Sequence, residues 1–217
     1  MKIPRVKICC ITTIDEAALA VRYGASALGL VSAMPSGPGP ISEERIAEII
    51  ATVPKNISTF LLTSKQEAKS IIAQQRKTQA NTLQLVDSVS LDVYRVLRNE
   101  LPGIAIVQVI HVIGESSREE AKAIAPFVDM ILLDSGNPNL AVKELGGTGR
   151  RHDWGVSQKI IDAVSVPVFL AGGLNAGNVR EAIERVAPYG IDLCSGVRTN
   201  GKLDEEKLRD FFLHVNG

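Results

Sequence analysis

Aromatic side chains are scarce, at 4% of these 217 residues, and charge of either sign is not in excess, with 24 acidic and 24 basic residues. A neutral chain without a basic-aromatic stripe carries no electrostatic footprint for nucleic acid or an acidic membrane surface. Long apolar runs are also missing. The longest, residues 104–113, is broken by Gln108 and His111 and is far too short to cross a bilayer, so no membrane partner is expected. Cysteine is limited to three residues, two of them adjacent, with neither a CxxC nor a Cys/His ligand spacing. That pattern makes a poor disulfide framework and a poor zinc site, and no metal is expected. Met1-Lys2-Ile3-Pro4-Arg5 runs straight into a strand with no signal-peptide core, which points to a reduced, cytoplasmic compartment.

What the chain does have is alternation. Its 45% hydrophobic content supports a substantial core. Apolar β-type runs at residues 6–11, 27–32, 58–63, 82–87, 104–111, 130–134, 168–172 and 191–195 alternate with amphipathic segments at 15–23, 42–53, 66–77, 90–100, 116–126, 155–164, 175–187 and 204–214. The runs are continuous rather than strictly alternating, as parallel strands covered on both faces should be. Ser42, followed by Glu43 and Glu44, is a good helix N-cap. Eight strand–helix pairs without a composition break predict one α/β domain over 1–217, a (β/α)8 TIM barrel; a doubly wound open sheet is the runner-up. Two long loops, 33–40 and 135–153, follow strand C-termini, the face on which barrels build their sites.

Three glycine-rich turns dominate the last third: Gly146-Gly147-Thr148-Gly149, Ala171-Gly172-Gly173-Leu174-Asn175 and Cys194-Ser195-Gly196-Val197. Glycine lets backbone N–H groups approach an anion, and a following helix adds its positive end. Two such turns after the last two strands, with a third nearby, predict a phosphate cup from Gly147, Thr148, Gly149, Gly172, Gly173, Ser195 and Gly196. The expected partner is therefore a small phosphorylated molecule. Ordinary turns would look similar one at a time, but three together point to phosphate.

Cys9 closes the first strand and Asp134 the sixth, after Ile131-Leu132-Leu133. A carboxylate behind three aliphatic residues is costly to bury without a partner. At a barrel mouth, a thiol and a carboxyl facing a phosphate cup form a general base and general acid pair. Each has a plain alternative, Cys9 as core filler and Asp134 as a loop cap. Lys7, two residues before Cys9, shares its side of the strand and could lower the thiol pKa; Cys10 should point the other way. His111 at a strand end reads as a hydrogen-bonded bystander, and Asp153 with Trp154 as the anchor of the sixth helix.

Taken in order, Lys7-Ile8-Cys9, Leu132-Leu133-Asp134-Ser135, Gly146-Gly147-Thr148-Gly149 with Asp153-Trp154, Leu170-Ala171-Gly172-Gly173-Leu174-Asn175 and Cys194-Ser195-Gly196-Val197 resemble the phosphoribosylanthranilate isomerase family of tryptophan biosynthesis, over nearly the whole chain. The resemblance implies that Cys9 is the general base and Asp134 the general acid of an Amadori rearrangement. In that reaction an N-linked ribose 5-phosphate becomes a 1-amino-1-deoxyribulose 5-phosphate. It implies no metal and no cofactor, because the iminium is the electron sink, and it implies a monomer or a homodimer.

The chain departs from the family pattern where the aromatic acid is read. Gly39 stands where an arginine grips the anthranilate carboxylate, Val86 replaces a histidine, Cys10 replaces a glycine, and Arg198 replaces a glutamate. A bidentate arginine is not replaced by backbone groups. The expectation is weak recognition of anthranilate, with Gly39→Arg improving it. Arg198, or Arg150 and Arg151, could supply the missing charge; the plainer expectation for Arg198 is a solvated loop cation. Lys7 and Arg198 are the candidate substrate contacts. Other readings stay open: a paralogue acting on another phosphorylated sugar, or a non-catalytic phosphate-ligand-binding barrel. The histidine-pathway isomerase normally uses an aspartate where Cys9 stands.

Overall fold

Segments such as Ala27-Leu28-Gly29-Leu30-Val31 have no polar face to offer water, so they become strands covered on both sides. The computed structural model describes residues 3–147 and 149–217. Its strands β1 (Arg5–Ile8), β2 (Ala27–Val31), β3 (Ser58–Thr63), β4 (Thr82–Leu85), β5 (Ala105–His111), β6 (Met130–Asp134), β7 (Val168–Leu170) and β8 (Gly190–Leu193) form a closed parallel barrel in chain order. Closure comes from β1, which pairs with β2 on one side and β8 on the other. Helices α1 (Ile14–Arg22), α2 (Glu43–Thr52), α3 (Ala68–Thr78), α4 (Leu91–Glu100), α5 (Ser116–Ile124), α6 (Trp154–Ala163), α7 (Val179–Val186) and α8 (Glu205–Asn216) alternate with them. The (β/α)8 expectation is met.

Strand periodicity splits the core in two. Outward residues such as Leu28, Leu30 and Leu61 pack against helix residues such as Ile46, Ile49 and Ile71. Inward residues Ala27, Val31, Phe60, Leu62, Val107, Val109, Leu132 and Phe169 fill the barrel itself. Helix starts are set by side-chain caps: Thr13 accepts from Glu16 N, Ser42 from Arg45 N, and Asp153 from Gly155 N. None of the helices among the described residues is long and apolar enough to cross a membrane.

The differences from expectation concentrate at the barrel mouth. β1, β4, β7 and β8 end at Ile8, Leu85, Leu170 and Leu193, two or three residues early, because the following residues leave the ladder to line the opening. Cys10 takes a left-handed backbone (φ 61°), which no strand residue adopts. Helix α7 starts at Val179 rather than 175, because Asn175 and Asn178 cap the turn: Asn175 Oδ1 accepts from Gly177 N and Asn178 Oδ1 from Asn175 N, both at 2.9 Å. After β8 come a single 3-10 turn (Ser195–Val197) and a hairpin of β9 (Arg198–Thr199) with β10 (Lys202–Leu203), too short to carry a hydrophobic period.

Candidate active site

Parallel register places Lys7 of β1 directly beside Asp192 of β8, both inside the barrel. Their ion pair measures 2.8 Å, and Lys7 also sits over the Phe60 ring, 5.2 Å from its centroid. A lysine with no exposed surface would ordinarily lose its proton. Burial opposes its charge, yet the neighbouring Asp192 and the Cys9 sulfur hold the Lys7 ammonium well above its usual range. Cys9 lies just past β1, its N–H donating to Leu193 O at 2.8 Å. A Cβ on Gly29 of the adjacent strand would meet Cys9 Sγ at 2.7 Å and Lys7 Nζ at 3.0 Å, so thiol and ammonium share one small space. Lys7, expected as a substrate contact, is fully buried and does not line the cavity.

Asp134, at the end of β6, lines the same cavity as Cys9. Its Oδ1 accepts from Ser135 N at 2.7 Å. The glycine loops converge on one side of this cavity: Gly147 and Gly149 from the loop after β6, Gly172 and Gly173 after β7, and Ser195 after β8. Gly173 has φ +63°, and a Cβ there would lie 2.7 Å from Gly149 O, so the two loops touch backbone to backbone. Gly196 is placed behind this wall, against Leu174 and Asn175, and is not among the lining residues. Thr148 lies outside the described residues. The opposite side is largely apolar, made by Val31, Met34, Leu62, Val86 and Leu145, with the polar side chains of Ser36 and Gln84 among them.

Arg198 is not the solvated loop cation expected: it is buried, and it stands outside the cavity lining. Its guanidinium pairs with Glu16 at 2.7 Å and donates to the carbonyls of Cys9 (3.2 Å), Cys10 (2.5 Å) and Gly201 (2.9 Å). Burial alone would raise the Glu16 pKa; Arg198, with the N–H groups of Leu203 and Thr12, brings it below its usual value instead. Arg150 and Arg151 also lie outside the lining, Arg150 paired with Glu144 and Arg151 stacked 4.1 Å over the Trp154 ring.

Cys10 does not sit behind the barrel as expected; it lines the cavity with Cys9 and Cys194. Gly39 packs onto it, and a Cβ on Gly39 would fall 2.7 Å from Cys10 Cβ. The two departures from the family pattern are therefore one steric unit. His111 Nε2 donates to Val86 O at 3.0 Å, and the residue stays out of the lining.

Gln84 and Asp192, polar side chains within apolar strands, also line the cavity. Both are buried, and Gln84 Oε1 and Asp192 Oδ1 have no hydrogen-bond partner among the described residues. Their signal was present in the sequence: a charged or amide side chain inside an apolar strand run needs a partner. No cluster of three metal-ligating side chains occurs among the described residues.

Glycine loops after β7 and β8, with a thiol just past β1 and a carboxyl at the end of β6, define a (β/α)8 enzyme of the class that handles small phosphorylated molecules. The profile of the N-(5'-phosphoribosyl)anthranilate (PRA) isomerase family matches residues 6–214, and the chain belongs to that family. It is 37% identical to N-(5'-phosphoribosyl)anthranilate isomerase 2 of Methanosarcina mazei, over 95% of this chain and 92% of that one. With the Methanocella arvoryzae isomerase it shares 34% over 97% of each. Among solved structures, a phosphoribosyl anthranilate isomerase in complex with reduced 1-(o-carboxyphenylamino)-1-deoxyribulose 5-phosphate superposes with a TM-score of 0.82 at 28% identity, covering 98% of both chains.

Proposed function

We propose that the chain is an aldose–ketose isomerase that performs an Amadori rearrangement on an N-(5-phosphoribosyl) arylamine of the kind its relatives are named for. The observation carrying this reading is that Cys9 and Asp134 line one cavity whose far wall is built from the glycine loops after β6, β7 and β8. Phosphate at Gly147, Gly149, Gly172, Gly173 and Ser195 fixes the sugar. Asp134 then delivers a proton to the furanose ring oxygen, and the C1–O bond breaks to leave an iminium. Cys9, beside Lys7, takes the C2 proton; the electron pair flows into the iminium and gives an enolamine, which tautomerises to the ketone. Within this reading the protein is one domain, needs no cofactor, and works in the cytoplasm as a monomer or homodimer. A Thermotoga maritima relative is described as dimeric.

The test is turnover of N-(5'-phosphoribosyl)anthranilate, followed by loss of its fluorescence, in the wild type and in Cys9→Ser and Asp134→Asn. Removing a general acid or base lowers the rate by ~100- to ~10,000-fold while the fold survives. Wild-type-like rates in either variant would remove that residue from its role. Binding of sugar phosphates without any turnover would make the chain a non-catalytic ligand-binding barrel.

A further inference from the structure

All three cysteines of the chain, Cys9, Cys10 and Cys194, are free thiols that line the one cavity at the barrel mouth. Only Cys9 has a part in the rearrangement, so two nucleophilic side chains stand in the site without a task. The barrel itself brings them together. β1 and β8 run side by side in register up to Ile8 and Leu193, and the Cys9 N–H bond to Leu193 O carries the pairing one residue further. Neighbouring strands lie about 4.8 Å apart, within the Cα separation that a disulfide spans. The left-handed backbone of Cys10 (φ 61°) then turns its side chain into the cavity instead of behind the barrel.

There the Cys10 thiol interacts first with Cys194 and second with Cys9. Adjacent residues can join only through a strained eight-membered ring, which leaves Cys194 as the partner for a covalent bond. The surroundings of the two thiols differ. Cys10 is buried and Cys194 is half-buried, so a small reagent entering the cavity reaches Cys194 first. The Cys10 contact and the Arg198 guanidinium, working against burial, bring the Cys194 thiol below its ordinary value. A reachable thiol that ionises readily, beside a second thiol, is the arrangement of an attacking and a resolving cysteine.

We propose that Cys10 and Cys194 form a reversible oxidation site, at which a hydroperoxide joins them as a disulfide across the barrel mouth and stops turnover. The Cys194 thiolate sulfur attacks one peroxide oxygen, the O–O bond breaks, and the departing oxygen takes up a proton and leaves as water or an alcohol. Cys194 is then a sulfenic acid. The Cys10 sulfur attacks it, the S–O bond breaks, and the Cys10 proton leaves with the hydroxide as water. Two thiols have lost two electrons to the peroxide, and a dithiol reverses the change by exchange. The effect on turnover rests on the isomerase reading. Cys9 adjoins Cys10 and Ser195 adjoins Cys194, so the new bond pulls on the general base and the phosphate loop together.

The experiment treats the full chain with hydrogen peroxide and then with dithiothreitol. At each stage free thiols, peptide masses after alkylation and proteolysis, and turnover of N-(5'-phosphoribosyl)anthranilate are measured. The expected result is a fall from three thiols to one, a linked pair of peptides carrying Cys10 and Cys194, and loss of most turnover, all undone by the dithiol. Cys10→Ser and Cys194→Ser, each checked for folding by thermal melt, should form no link and keep most of their own starting turnover through the same treatment. A link that forms and reverses in a protein with no turnover at any stage keeps the oxidation site and removes the isomerase reading. Three free thiols after peroxide, a link through Cys9, or a Cys10–Cys194 link that leaves turnover unchanged overturns the proposal. Equal loss of turnover in the wild type and both variants overturns it too, because oxidation of Cys9 then accounts for the inactivation.

Discussion

Replacing Arg198 with methionine tests whether this cation is a structural clamp. Methionine keeps much of the side-chain volume but removes every donor. The wild-type pair is well buried, with 6% of the arginine and 11% of the glutamate side chain exposed. Breaking such a pair from one side leaves an uncompensated buried charge, worth about 3–5 kcal/mol. Glu16 keeps donors from Thr12 N and Leu203 N, both at 2.9 Å, which places the loss at the low end, about 3 kcal/mol. For a chain of this length that lowers Tm by roughly 6–12 °C. A solvated loop cation would change stability by only about ±0.5 kcal/mol. Urea unfolding at neutral pH separates the two, and a loss under about 1 kcal/mol would refute the clamp. The sign of the pH dependence is a second check. Glu16 has its folded pKa below the ordinary 4.5, so the stability it contributes is present above that value and lost as pH falls through the folded pKa. The gap between wild type and variant should therefore narrow in acid. Because Arg198 holds the carbonyls of Cys9 and Cys10, the variant should lose kcat as well.

Gly39→Arg, which the sequence alone puts forward as a rescue of anthranilate binding, should instead destabilise the protein, because its Cβ meets Cys10 Cβ at 2.7 Å on a left-handed backbone; thermal melts would show it, and prior Cys10→Gly should relieve part of the loss. Gly173→Ala places a methyl 2.7 Å from Gly149 O and should raise KM for the phosphorylated substrate by about tenfold or more with a smaller change in kcat; an unchanged KM would remove the Gly173 loop from the phosphate cup. His152 has its pKa lowered from 6.5 by burial, against the pull of Asp134 and Asp153. It is neutral when folded, so its contribution is present above that value and lost as pH falls below it; His152→Gln should flatten that limb of the stability profile measured by denaturant titration.

Periodicity made the barrel legible. Eight aliphatic runs without a polar face can be satisfied only as strands covered on both sides, and the amphipathic segments between them supply the cover. Glycine spacing likewise marked the loops after β6, β7 and β8, and strand-end position marked Cys9 and Asp134, all of which meet in one cavity. These features are local: each depends on a residue and its near neighbours along the chain. What the sequence left open depends on contacts between distant segments. Lys7 meets Asp192 only because closing the barrel sets β1 against β8 in register, which buries as an ion pair a lysine that the sequence offered as a substrate contact. Arg198 finds Glu16 across 182 positions of sequence, so its role could not be read from the loop around it. Gly39 and Cys10 look like two unrelated changes until the strand-2 loop folds onto the end of β1 and makes them one packing contact. A charge or a gap at a barrel mouth takes its meaning from what the neighbouring strands bring to it, and that neighbourhood exists only once the ring has closed.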